Sequence, residues 1–211
     1  MNRRRSYTIP RCAAATVLWF LASCGGPRPA TTPAALPGSE AARPAAPVRT
    51  GKEPIVRVLV LDAQKSVTVS IPGAFDVEAG DGGTRHRDGA RLKVTASGAG
   101  VRVAEGSRIL GEGESVTVTP TAGGRIYVNG KPYRGGLRFY AADRKVLTLN
   151  VIGIDDYLKG VLPAEIGVLR PELHEAYRAQ AIVSRSYAIS KLDEKRGERY
   201  DLRATIMDQV Y

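Results

Sequence analysis

The chain has 211 residues and a formal net charge of +10, from 31 Lys and Arg against 21 Asp and Glu, with two Cys and two His. That length allows one ordinary domain, or a small domain with appendages. An apolar content of 43% and a charged content of 25% are those of a globular chain and argue against wholesale disorder. Two cysteines exclude a disulfide-dense scaffold and an all-cysteine zinc site. The charge invites a nucleic-acid reading, and whether it holds depends on where the charges lie.

The first residues are basic and free of acid, with Arg3, Arg4, Arg5 and Arg11. An apolar run of 11 residues follows, Cys12 to Ala22. A bilayer-spanning helix needs roughly 20 residues, so this run has the size of a signal-peptide core instead. It ends in Leu21-Ala22-Ser23-Cys24. That tetrad resembles the lipobox of bacterial lipoproteins, in which the cysteine is acylated and the chain is cut just before it. The alternatives are a plain secretory signal with a chance cysteine, or a twin-arginine signal from Arg3-Arg4-Arg5. On the lipoprotein reading residues 1–23 are a signal peptide and Cys24 is the lipidation site, so the mature body holds no free thiol and no disulfide. Residues 24–52 are rich in Pro and Ala, show no apolar periodicity and read as an extended tether.

The charges then redistribute. Four of the ten leave with the signal and three sit in the tether, so residues 53–211 keep +3, from 23 basic and 20 acidic side chains. No nucleic-acid partner is expected, and a basic tether suits an anionic envelope surface.

From Ile55 the pattern is that of strands. Ile55 to Leu61 is a β-branched, mostly apolar run, and Val67, Val69 and Ile71 alternate with Thr68 and Ser70 up to the stop at Pro72-Gly73. Further strands are predicted at 75–79, 91–96, 100–104, 107–110, 115–119, 125–128 and 137–140, and Leu147, Leu149 and Val151 mark another. Glycine-rich turns separate them, among them Asp81-Gly82-Gly83 and the hairpin signal Asn129-Gly130. Short strands at this spacing predict a meander or a small sandwich.

Beyond residue 153 the texture is helical. Asp155-Asp156 can cap a short helix, Tyr157 to Val161, which Pro163 breaks. Pro171-Glu172 opens a long helix over 171–194, ended by Lys195-Arg196-Gly197. Its predicted inner face is small and semi-polar, with Tyr177, Gln180, Ala181, Ser184, Tyr187 and Ala188 at three- and four-residue steps.

Glu165 is the first candidate for chemistry. Val161, Leu162 and Ile166 flank it in sequence, and a carboxyl enclosed by such groups would have its pKa raised toward the general-acid range. The bland alternative is a solvated loop glutamate. Arg178 and Arg185 lie seven apart on one helix face with Gln180 and Ser184 near them. They read either as a solvated basic face with Glu175 as an i,i+3 partner of Arg178, or as residues that bind polar or acidic glycan groups or orient Glu165. His86 in a turn and His174 in a first helical turn lack ligand-spaced partners, so no metal is expected there. Neither Ser184 nor Ser186 sits in a G-x-S-x-G elbow, and there is no phosphate loop.

Tyr133-Arg134-Gly135, Leu147-Thr148-Leu149-Asn150-Val151, the run Asp155 to Ile166, the run Tyr177 to Ala188, Tyr200-Asp201-Leu202 and Gln209-Val210-Tyr211 together resemble, in order and spacing, the SpoIID/LytB domain family. The resemblance is clear over 133–211, with the β-rich run 53–132 as its N-terminal portion. It implies an α+β fold, with short antiparallel strands followed by a helix-containing catalytic portion, and a peptidoglycan lytic transglycosylase activity. The family's catalytic acid falls on Glu165, with Ile166 where Met is usual. Its basic and polar helix residues fall on Arg178, where Lys is usual, and on Gln180, Arg185 and Tyr187, as substrate-binding residues. Glu165 would protonate the glycosidic oxygen between N-acetylmuramic acid and N-acetylglucosamine. It would then take the proton of the muramic 6-hydroxyl as that oxygen attacks its own anomeric carbon, leaving a 1,6-anhydro end. One carboxylate serves both steps because the nucleophile is intramolecular, whereas a water-using glycosidase needs two.

Some family members bind zinc through Cys and His ahead of Gln-Val-Tyr. Here that stretch is Arg203 to Asp208, so neither zinc nor any other cofactor is expected. Family members continue past the position of Tyr211, so the sequence predicts a domain truncated at its C-terminus. The alternative function is a non-catalytic wall-binding module that modifies a cell-wall amidase, and a plain surface lipoprotein is the blandest reading. The partners expected are peptidoglycan glycan strands, a membrane through lipid on Cys24 and, on the module reading, an amidase. The location expected is the cell envelope, on the outer membrane or the extracytoplasmic face, since Gly25 is not an aspartate retention signal.

Overall fold

A computed structural model describes residues 52–121, 123–168, 170 and 173–211. The expected signal peptide, the expected lipidation at Cys24 and nearly all of the expected tether lie outside the described residues. The fold is α+β: two antiparallel sheets packed face to face, followed by two helices.

The strands are β1 (Ile55–Gln64), β2 (Ser66–Ile71), β3 (Phe75–Ala79), β4 (Gly82–His86), β5 (Ala90–Ser97), β6 (Gly100–Glu105), β7 (Arg108–Gly113), β8 (Ser115–Pro120), β9 (Ile126–Val128), β10 (Lys131–Tyr133), β11 (Gly136–Ala142) and β12 (Lys145–Gly153). The helices are α1 (Ile154–Ile166) and α2 (His174–Glu194), and a two-residue strand β13 (Leu202–Arg203) closes the order. One sheet runs β13-β1-β12-β11-β8-β3-β4 and the other β10-β9-β2-β5-β6-β7. Strands from both sides of residue 132 therefore share the first sheet. All pairs are antiparallel except β1 with β13.

The period-two pattern builds this sandwich. Val67, Val69 and Ile71 of β2 and Val94 of β5 meet Val116 and Val118 of β8 and Phe139 of β11 in one buried cluster. Each such side chain contributes about 1.5–3 kcal/mol through burial. A second cluster lies on the other face of the first sheet, where Val56 and Val58 of β1 and Ile152 of β12 pack on Ile154, Tyr157, Leu158 and Val161 of α1 and on Ala188 of α2. That second layer positions the helices. The Asn129-Gly130 hairpin forms as expected, with φ of 50° and 87° and Lys131 opposite Val128.

Three readings change. The glycines at 82 and 83 belong to strand β4, which pairs along β3 from Phe75–His86 to Ala79–Gly82. His86 accordingly ends a strand, where its ring stacks on Phe75 at 4.8 Å. The first helix is longer than 157–161: it starts at Ile154 and passes through Pro163 to Ile166. Pro163 removes one backbone donor, but only three residues follow it. The buried face of Ile154, Tyr157, Leu158 and Val161 holds the helix against the sheet. Its N-cap is Gly153 rather than Asp155 or Asp156, which lie inside the first turn, and the remote Glu53 accepts the Asp155 N–H on its Oε1 at 2.9 Å. The second helix is described from His174, so the expected start at Pro171-Glu172 lies outside the described residues. Among the described residues no helix is long and apolar enough to cross a membrane.

Candidate functional site

The site forms where Gln209, Val210 and Tyr211 lie against α1, each held by a different handle. The buried Tyr157 hydroxyl donates to Gln209 Oε1 at 2.8 Å. The Val210 N–H donates to Glu165 Oε1 at 2.5 Å. The Tyr211 ring rests between Tyr157 (centroids 5.1 Å apart) and Tyr133 (6.0 Å), and its hydroxyl donates to Asn150 Oδ1 at 2.5 Å. Asn150 is fully buried and fully used, because its amide nitrogen also donates to the carbonyls of Arg134 at 2.8 Å and Gly136 at 2.9 Å.

Gly160 explains why a glycine stands in the middle of α1. A Cβ there would lie 2.6 Å from the Tyr211 ring, and the ring is fixed on its other sides. Gly160→Ala gains about 1 kcal/mol of helix propensity but forces Tyr211 out. The expected net loss is about 1–2 kcal/mol, read as a lower Tm together with increased exposure of tyrosine in near-ultraviolet spectra.

Burial pushes the Tyr157 and Tyr211 phenols above their usual value of 10.0. For Tyr157, the charges of Tyr211, Asp208 and Glu165 add to the effect. A phenol raised on folding stabilises the native state fully below its unfolded pKa. That stability is lost as pH climbs from the unfolded value toward the folded one. Stability is therefore expected to hold up to about pH 10 and to fall above it. In an alkaline absorbance titration these two phenols should ionise only as the fold is lost.

Glu165 lies on the last turn of α1 and is exposed. The enclosure suggested by its apolar sequence neighbours is not what the fold builds: Val161 turns into the core, while Leu162 and Ile166 are only half-buried. Oε1 is fixed by Val210, and among the described residues Oε2 has no hydrogen-bond partner.

Helix α2 runs antiparallel to α1. The Tyr177 hydroxyl donates to the Gly167 carbonyl at 2.6 Å, just beyond the end of α1, while Arg185 pairs with Asp155 in the first turn of α1. Ten residues at 1.5 Å rise separate Asp155 from Glu165, about 15 Å, so Arg185 is not brought to Glu165. Arg178 pairs with Glu175 at 3.1 Å on an exposed face, as the bland alternative has it. Gln180 donates to the buried Ser184 hydroxyl at 3.3 Å, and the Tyr187 hydroxyl donates to Asp208 Oδ1 at 2.8 Å. These two residues face inward, so the four helix residues divide between two surfaces.

The structure adds residues that the sequence reading leaves without a role. Asp208 is a second carboxylate in this cluster, in electrostatic reach of the Tyr157 hydroxyl, as Glu165 is. Both its oxygens are engaged, Oδ1 by Tyr187 and Oδ2 by the Arg203 N–H at 2.8 Å. Asn150, Tyr157, Gly160 and Tyr211 all stand inside the quoted motifs, and their invisible feature is the contact among them. A cleft of about 410 Å³ opens beside this assembly, lined by Tyr133, Arg134, Pro163, Ala164, Val210 and Tyr211 among others. Ala164 is the chain neighbour of Glu165 and Val210 its hydrogen-bond partner, so the carboxylate stands at the margin of the cleft.

Residues 142–211 match the family model SpoIID, Stage II sporulation protein. The SpoIID match begins at the end of β11 and takes in both helices and the Gln209–Tyr211 segment. It supports the SpoIID family for this portion, and a SpoIID domain points to a cell-wall-related function. An uncharacterized protein of Brachyspira hyodysenteriae is 35% identical over 85 residues, 40% of this chain and 23% of that protein. An uncharacterized protein of Chlamydia muridarum is 31% identical over 144 residues, 66% of this chain and 48% of that protein. The chain thus spans less than half the length of these curated relatives. No solved structure matches it significantly.

Proposed function

We propose that the protein is an envelope-anchored peptidoglycan lytic transglycosylase with Glu165 as its single catalytic acid and base. The observation that carries this reading is the setting of Glu165. One carboxylate oxygen is fixed by a backbone N–H, the other has no partner among the described residues, and the group borders a cleft walled by tyrosines and cations. A glycan lying in the cleft would place a glycosidic oxygen against Oε2. Proton donation there, followed by proton removal from the muramic 6-hydroxyl as it closes on the anomeric carbon, needs no activated water. Asp208 is not required, since both its oxygens already accept hydrogen bonds. Lipid on Cys24 and a Pro/Ala-rich tether would hold this unit at the envelope. The expected result is that the purified chain, given peptide-free glycan strands, releases products with 1,6-anhydro ends detectable by mass spectrometry.

The second reading is the non-catalytic wall-binding module, with an amidase as partner. It draws support from the same hydrogen bond, because Glu165 has a structural task in seating Val210. Glycan binding without any anhydro product, in the wild type and in Glu165→Gln alike, would favour it.

A further inference from the structure

The outer face of the second sheet carries a tyrosine with no task inside the protein. Of the chain's nine tyrosines all but Tyr7 are described. Every described one except Tyr127 uses its ring or its hydroxyl in a contact. Tyr127 of β9 has no hydrogen bond, ring contact or cation contact among the described residues. The period of two explains where it points. Val69, Ile71, Leu92, Ile126 and Val128 fill the sandwich core, so Ser70, Arg91 and Tyr127 between them face outward. The register lines them up: Tyr127 stands opposite Pro132 of β10 and Ser70 of β2, and Ser70 stands opposite Arg91 of β5. Opposed side chains on one face lie about 4.5–5.5 Å apart at Cβ. A cavity of about 310 Å³ opens over this row, lined by Tyr127, Thr68, Ser70, Arg91 and Asn129 among others. Asn129 is fixed there by its N–H, which donates to the Thr68 carbonyl at 3.1 Å. The side-chain polar groups of these five residues have no partner among the described residues.

We infer that this face is a separate sugar-binding site, in which a pyranose ring lies on Tyr127 and its hydroxyls pair with Thr68, Ser70, Asn129 and Arg91. The volume is at the lower end for ligand sites and suits a ring-sized group. The electron-rich face of a tyrosine ring attracts the C–H face of a sugar. Hydroxyls and a carboxamide both donate and accept, as sugar hydroxyls do, and a guanidinium adds donors. An extended peptide fits less well. Strand β9 is paired on both sides, with β10 and β2, and β2 with β9 and β5, so this face offers no open main-chain row for a peptide to join. A nucleic acid fits less well too, because Arg91 is the one charged residue in the lining among the described residues, and phosphate chains are held by several cations. The site lies apart from Glu165 and needs no cleavage there. It adjoins the cleft across the β9–β10 hairpin, since Pro132, opposite Tyr127, also lines that cleft.

The test uses the full chain carrying Glu165→Gln, so that the probe survives, and titrates it with a β-1,4-linked tetramer of N-acetylglucosamine while amide NMR signals are followed. The tetramer should shift the amides of Thr68, Ser70, Tyr127 and Asn129. Adding Tyr127→Ala should weaken the Kd read from those amides by about tenfold, and Tyr127→Phe, which keeps the ring, should restore most of the affinity. Amides that stay unmoved, or shifts that survive Tyr127→Ala at the same Kd, overturn the inference. So does an N-acetylated tetra-alanine peptide that moves these amides when the sugar does not. The titration before Tyr127 is changed already decides whether sugar reaches this face, so a folding defect in Tyr127→Ala would not hide the outcome. Product analysis with Glu165 restored separates this inference from the transglycosylase reading. Sugar binding at Tyr127 in a chain that yields no anhydro product supports the inference and overturns that reading, and anhydro product from a chain whose Tyr127 face stays unmoved does the reverse.

Discussion

Replacing Glu165 with Gln should lower the rate of 1,6-anhydro product formation by about 10³-fold, in the range that a positioned general acid and base supplies, while leaving the Tm unchanged. The amide keeps a carbonyl oxygen where Oε1 now accepts the Val210 N–H at 2.5 Å, so the docked segment stays in place and only the transferable proton is lost. Glu165→Ala removes both. It should show the same loss of product and, in addition, a destabilisation of about 1 kcal/mol from the unmet Val210 donor. The pair of variants separates chemistry from scaffolding. If Gln retains activity, Glu165 is not the acid. If Gln and Ala lose activity only in proportion to lost stability, the glutamate serves to seat Val210 and the module reading gains. Reducing-end analysis by mass spectrometry and a thermal melt on the same preparations read both effects.

The sandwich was legible because its strands carry their own signal. The strand expected at 75–79 has those bounds, Phe75–Ala79, since Phe75 and Val77 alternate with Asp76 and Glu78 between turn residues. Strand β4 carries no such signal. It has two glycines and no buried residue, and it forms because β3 offers an open ladder. The length of α1 was misread for a related reason: Pro163 speaks locally, while the contacts that keep the helix going come from β1 and β12. At the site, Glu165 could be singled out from its motif, but its surroundings could not. Its neighbours in sequence point to different sides of a helix with 3.6 residues per turn, and its true partner, Val210, lies 45 residues further on. The same holds for Arg185. Its charge is visible in the sequence, but the antiparallel run of α2 that takes it to Asp155 is set by packing.

That long-range geometry has one principal fastener, and its removal should be strongly destabilising. Asp201 has a fully buried side chain that accepts from the Arg57 backbone N–H at 2.7 Å, from Arg57 Nε at 3.1 Å and from Nη2 at 2.5 Å. The backbone repeats the link, with the Asp201 N–H donating to the Arg57 carbonyl at 2.8 Å. This clamp puts Leu202 and Arg203 in parallel register with Val58 and Leu59, and the chain then turns back within six residues to lay Gln209 to Tyr211 on α1. Asp201→Ala would leave the Arg57 guanidinium and an N–H without their acceptor. The expected cost is about 3 kcal/mol, as for other ion pairs broken from one side in a buried setting. Asp201→Asn, which still accepts one hydrogen bond, should fall between Ala and the wild type. The loss should also be local in a way a general weakening is not. With β13 undocked, the Val210 amide should exchange with solvent faster relative to the sandwich amides of β2 and β5, whereas in Glu165→Gln that ratio should stay near the wild type. Hydrogen exchange at Val210 in the two variants therefore shows whether the Arg57–Asp201 clamp, formed by residues 144 apart, holds the backbone partner of Glu165 in place.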